Sequence, residues 1–142
     1  MRAVIRSTVA TSAGVLLVAL AWASARFYAW EPIDVPRQSW AYTFKVSGIA
    51  KQFKLWAPRS APLYDVARGR GRQNDYTLIR YSTGLSLPEL ERLARVDGFR
   101  CEYYGAAALV CDRSHGRVLE AQVSALRIAE LATELTVQVQ DR

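Results

Sequence analysis

The chain has 142 residues, a formal net charge of +6, two cysteines and one histidine. Its aromatic and charged fractions argue against a wholly disordered polymer, and its length leaves no room for a nucleotide-binding domain joined to a substrate domain. One histidine and two cysteines are too little material for a Cys/His zinc site.

Residues 1–6 carry Arg2 and Arg6, and residues 7–25 contain no ionisable side chain. As a helix, those 19 residues would be about 28 Å long, close to the hydrocarbon thickness of a bilayer. No acidic residue precedes Glu31, so the positive flank predicts a cytoplasmic N-terminus and translocation of the remaining chain. Two readings stay open for residues 7–25. Trp22, Phe27, Tyr28 and Trp30 beside Arg26 resemble the aromatic belt of a single-pass transmembrane helix. Ala23, Ser24 and Ala25 fit the small-x-small pattern of a signal peptide cleaved after Ala25. Both put residues 31–142 outside the cytoplasm, at a cell membrane or in a periplasmic or secreted space.

Residues 26–75 read as a linker and a basic irregular region. Pro32, Pro36, Pro58 and Pro62 interrupt regular structure. Residues 42–46 alternate in polarity and predict a short strand. Lys45, Lys51, Lys54, Arg59, Arg68, Arg70 and Arg72 face a single acid, Asp65, over residues 45–72. This set predicts binding to an anionic surface such as lipid headgroups or an acidic partner, against the plainer reading of a solvated loop. The run Arg68, Gly69, Arg70, Gly71, Arg72 resembles an RNA-binding tract only superficially, and export argues against nucleic acid.

The ordered domain is expected over residues 76–142. Residues 76–82 are rich in β-formers. Ser86 and Glu89 then form a capping box, flanked by Leu85 and Leu90 at the staple positions, with Pro88 in the first turn. Gly98 supplies a left-handed stop, and these signals predict a helix over about residues 87–97. Residues 99–113 predict a hairpin turning on Gly105, Ala106 and Ala107. In that register Tyr104 faces Ala108, Tyr103 faces Leu109 and Cys101 faces Cys111. Opposed cysteines in an exported hairpin predict a disulfide, with a redox pair or metal site as the alternative that their spacing disfavours. Residues 118–131 fit a helical face through Leu119, Val123, Leu126 and Ala129, and their Ala, Leu and Glu content favours helix. Their odd positions also alternate, so a strand is the competing reading. Residues 135–140 predict a strand.

The order strand, helix, strand, strand, helix, strand predicts an α+β fold: an N-terminal transmembrane helix or signal peptide, then a small domain of ferredoxin-like βαββαβ type. If residues 118–131 are strand, the domain becomes one helix on a larger antiparallel sheet. Ser114, His115 and Asp112 lie together in sequence, but a turn does not align them as nucleophile, base and orienter. No P-loop, zincin or nucleophile-elbow motif occurs. No cofactor and no metal are expected. Tyr76, Tyr81, Tyr103 and Tyr104 could form an interface or ordinary cross-strand packing. The expected function is that of a non-catalytic accessory or interaction subunit, anchored to the membrane through residues 7–25 and facing another envelope or membrane protein. The alternative is an exported, signal-cleaved small binding protein or inhibitor.

Overall fold

The computed structural model describes residues 2–69, 74–115, 118–129 and 132–140, with side chains in the first helix described from Gly14 onward. The chain divides into two units, Met1–Trp30 and Glu31–Arg142. The first is a single helix, α1 (Arg2–Ala29). Among the described residues no helix is long and apolar enough to cross a membrane, which corrects the expected transmembrane helix over residues 7–25.

The second unit is built on a seven-stranded, wholly antiparallel sheet. Its strands are β1 (Val35–Pro36), β2 (Leu63–Ala67), β3 (Tyr76–Thr83), β4 (Arg100–Tyr104), β5 (Ala108–His115), β6 (Val118–Ala129) and β7 (Ala132–Gln140). Their order across the sheet is β1-β2-β3-β7-β6-β5-β4. Two short helices, α2 (Trp40–Lys45) and α3 (Gly48–Gln52), lie between β1 and β2, and α4 (Leu87–Val96) joins β3 to β4. The mixed α+β class with an antiparallel sheet is as expected, but the fold is not ferredoxin-like. The reason lies in residues 118–131, where β6 replaces the expected second helix. Ala121, Val123 and Ala125 are buried at every second position, and the strand is paired on both sides, with β5 and β7. Two ladders of backbone hydrogen bonds and a buried face with period two override a local preference for helix.

One sheet face carries the core. Ile79 and Tyr81 of β3 lie opposite Val137 and Leu135 of β7, which in turn oppose Val123 and Ala125 of β6. All six are buried. Leu87, Leu90 and Ala94 of α4 belong to the same core cluster, as do Val35, Ala41, Val46, Ala50, Trp56 and Tyr64. The folded unit therefore draws on residues 31–75 as well as on residues 76–142. The expected strand over residues 42–46 is instead α2, because Ser39 accepts the Tyr42 amide at 3.2 Å and starts a helical turn. Ser47 does the same for α3 through the Ala50 amide at 3.1 Å. The opposite sheet face is polar and half-buried or exposed, with Gln122, Ser124, Thr136 and Gln138 across its centre.

The helix predicted over residues 87–97 is α4. Glu89 accepts the Ser86 amide at 2.9 Å and the Ser86 hydroxyl at 2.7 Å. At the other end Phe99 donates its amide to Ala94 and Gly98 donates to Arg95, the paired bonds of a Schellman stop. Gly98 sits at φ +85°, where a side chain is disfavoured. That stop turns the chain into β4 and aims Phe99 back toward the core.

Candidate functional site

The hairpin register matches expectation residue for residue: Cys101 opposes Cys111, Tyr103 opposes Leu109 and Tyr104 opposes Ala108. The two sulfurs are bonded at 2.09 Å. Cys111 is buried, so the bridge ties the edge strand β4 to the core through β5.

Beside this hairpin is a cleft of about 370 Å³, lined by Ile49, Gln52, Phe53, Lys54, Trp56, Asp97, Phe99 and Arg113. Its floor is aromatic. Trp56 stands edge-on to Phe99 at 5.6 Å and to Phe53 at 5.8 Å between ring centres. These edge-to-face contacts match the negative ring face of one to the positive edge of the next. Trp56 is locked from four directions. Its amide donates to the Tyr81 hydroxyl at 3.1 Å, its carbonyl accepts from Thr83 at 3.1 Å, its ring packs as above, and its indole donates to Asp97 at 2.7 Å. Burial pushes the Tyr81 hydroxyl up to about 12, so it stays neutral while it accepts that amide.

The cleft is polar at its rim. Lys54 donates to both oxygens of Asp97, at 3.1 and 3.2 Å. The Trp56 indole, followed by Lys54 and the nearby Arg113, holds the Asp97 carboxyl below its ordinary range. The Arg113 guanidinium lies 4.8 Å from the centre of the Phe99 ring. Its Nε stands 3.7 Å from Glu120, which is an ionic contact but too long for a hydrogen bond. An aromatic floor with fixed charges of both signs at its edge is suited to holding an amphipathic side chain or a small apolar group.

The predicted basic set is divided by the fold. Lys54 is committed to Asp97. The Arg59 guanidinium lies across Gly84, in the space a Cβ there would need. Lys45 and Arg68 are near enough that Arg68, together with burial, lowers the Lys45 ammonium below its ordinary value. Lys51 donates to the Thr43 carbonyl at 2.9 Å and sits 5.4 Å from the Tyr42 ring centre. Arg70 and Arg72 lie outside the described residues. The structure thus associates Lys45, Lys51 and Arg68 with α2 and its surroundings, and separates Lys54 and Arg59 from them.

The tyrosines do not make one surface. Tyr81 is in the core, Tyr103 is half-exposed with its hydroxyl donating to Glu91 at 2.9 Å, and Tyr104 is exposed on the other side of β4. Asp112 accepts from Gln122 at 2.9 Å, which directs its carboxylate along the sheet; Ser114 and His115 are exposed at the end of β5. Sequence reasoning missed the cleft, whose residues come from three separated segments. The available signal was a Phe and a Trp three residues apart in a stretch read as linker, where a solvated chain has no use for either.

Asp65 forms a separate structural knot. It accepts Arg80 Nε at 2.9 Å and the Asp34 amide at 2.7 Å, fixing β1 and β2 onto β3. Compared with known proteins, the chain matches no family model, no curated protein and no solved structure.

Proposed function

We propose that the protein is an exported, non-catalytic accessory subunit, whose α+β domain works outside the cytoplasm by binding another envelope or membrane protein. The Cys101–Cys111 disulfide carries this reading. Such a bond persists in an oxidising compartment and is rare where thiols are kept reduced. The unbroken stretch without ionisable side chains over residues 7–25, behind Arg2 and Arg6, supports export of the same chain. The aromatic cleft supports binding as the domain's task, because Trp and Phe side chains grouped with a charged rim are the composition of recognition sites.

Trapping thiols in living cells with membrane-permeant N-ethylmaleimide, read by the mass of the intact protein, tests the compartment. Unmodified protein without reductant, and doubly modified protein after reduction, is expected. Two reactive thiols in untreated cells would refute export. Detergent extraction of native membranes, followed by mass spectrometry of the copurifying proteins, tests the partner. N-terminal sequencing of the same material separates the two fates of the leader, since a chain beginning at Arg26 is a released domain.

A further inference from the structure

We propose that β4 is a pairing edge, to which the β4 strand of a second copy of this chain adds antiparallel about a twofold axis at Cys101. The two edges of the sheet differ. β1 spans two residues and ends in Pro36, so it offers an incoming strand almost nothing. β4 is five residues long, exposed except for half-buried Cys101, and has no proline, no lysine and no shift of register against β5. The Cα atoms of Cys101 and Cys111 are 4.0 Å apart. That makes them a close, non-hydrogen-bonded pair of the ladder, so the amide and carbonyl of Cys101 point away from β5. Those of Tyr103, two positions on, point the same way. Among the described residues no backbone bond from outside the β4–β5 ladder reaches either one. The disulfide fixes β4 on β5, so the open side is already set for pairing.

The side chains select the occupant. Arg100 and Glu102 are two apart and so share one sheet face. Neither makes a hydrogen bond or an ion pair among the described residues. Asp112 faces Arg100 across the ladder but is turned to Gln122. With Cys101 opposite Cys101 of the second copy, each Arg100 lies directly across from Glu102 of the other copy. The twofold makes that contact twice, at the close, non-hydrogen-bonded positions where cross-strand side chains interact most strongly. A register centred on Glu102 would set like charges together and is disfavoured. The same face is recessed between β4 and β5, with a volume of about 270 Å³, which leaves space for these side chains. A strand of an unrelated protein would gain the backbone bonds, but nothing requires it to carry acid and base in the matching order. The inference goes beyond the proposed envelope partner, since a second copy takes this edge whatever occupies the cleft.

Sedimentation equilibrium of the full chain, in a density-matched non-ionic detergent, tests the proposal. A dimer that dissociates on dilution is expected. Arg100→Glu and Glu102→Arg each place like charges opposite one another twice, and each alone should weaken dimerisation by roughly tenfold, with circular dichroism and the disulfide unchanged. An equal mixture of the two variants restores both complementary contacts, so dimers should form between them. The double variant Arg100→Glu, Glu102→Arg, with its charges exchanged, should dimerise like wild type. A wild-type chain that stays monomeric at every concentration would overturn the proposal and leave this edge to a strand of another protein. Dimers indifferent to the single substitutions, as association through residues 1–30 would give, would also overturn it. So would a mixture that fails to recover.

Discussion

The Trp56 indole donates a 2.7 Å hydrogen bond to the carboxylate of Asp97, a residue 41 positions further along the chain. The bond joins the loop before β2 to the C-terminal end of α4. The Asp97 carboxyl is lowered first by that indole, then by Lys54. A carboxyl with a depressed folded pKa stabilises the fold above the unfolded value, and that contribution disappears as pH falls through the folded value. Acid titration should therefore loosen this junction below about pH 4. Asp97→Asn is expected to flatten the acid limb of a stability-against-pH curve while leaving the neutral-to-alkaline part parallel to wild type. An unchanged acid limb would count against the assignment.

Trp56 should be the most costly single truncation outside the sheet. Trp56→Ala removes a buried ring and leaves Asp97 without its neutral donor, and is expected to destabilise by about 3–5 kcal/mol. Trp56→Phe keeps most of the packing and loses the indole donor, so a smaller loss of about 1–2 kcal/mol is expected. Urea unfolding of the two variants measures the difference. Equal effects would mean that the lost indole donor, and not the packing of the ring, sets the cost.

The disulfide closes a short loop with a sequence separation of 10. Replacing both cysteines by serine should lower stability by roughly 2–3 kcal/mol, because the unfolded chain regains the freedom that the closed loop removes. Calorimetry with and without reductant should give wild type the same decrement and leave the double variant unmoved by reductant.

Gly98→Ala tests the turn after α4. At φ +85° an alanine is strained by about 1–2 kcal/mol, and the nearest side-chain atom, Arg113 Cδ, is 4.0 Å from the added methyl, so strain and not collision sets the loss. Ser86→Ala, at the other end of the same helix, is expected to cost about 1 kcal/mol. The two sites share no partner, so their effects should add when combined, as thermal unfolding of the double variant would show.

Local chemistry makes parts of this fold legible. The capping box, the glycine stop and the three-residue hairpin loop each bind neighbours in sequence, so α4 and the β4–β5 register can be read directly. Residues 118–131 are ambiguous because Leu119, Val123 and Leu126 satisfy a helical period while Ala121, Val123 and Ala125 satisfy a strand. Only pairing with β5 and β7 decides between them, and that information is not local. Residues 31–75 mislead for the opposite reason. Val35, Ala41, Val46, Ala50 and Trp56 reach the core one at a time, between prolines and lysines, without any sustained period. The cleft inherits that difficulty, since Phe53 and Trp56, two of its three floor rings, come from this segment.

The strand order has a bearing on biosynthesis. Among the described residues β7 is the last strand in chain order, and it lies between β3 and β6, where it joins the two halves of the sheet. A ribosome releasing the chain from its N-terminus would expose β3, and then the β4–β5–β6 meander, before the strand that unites them. Until β7 arrives, neither half can finish its buried face. The sheet thus closes only when β7 has paired along both of its edges.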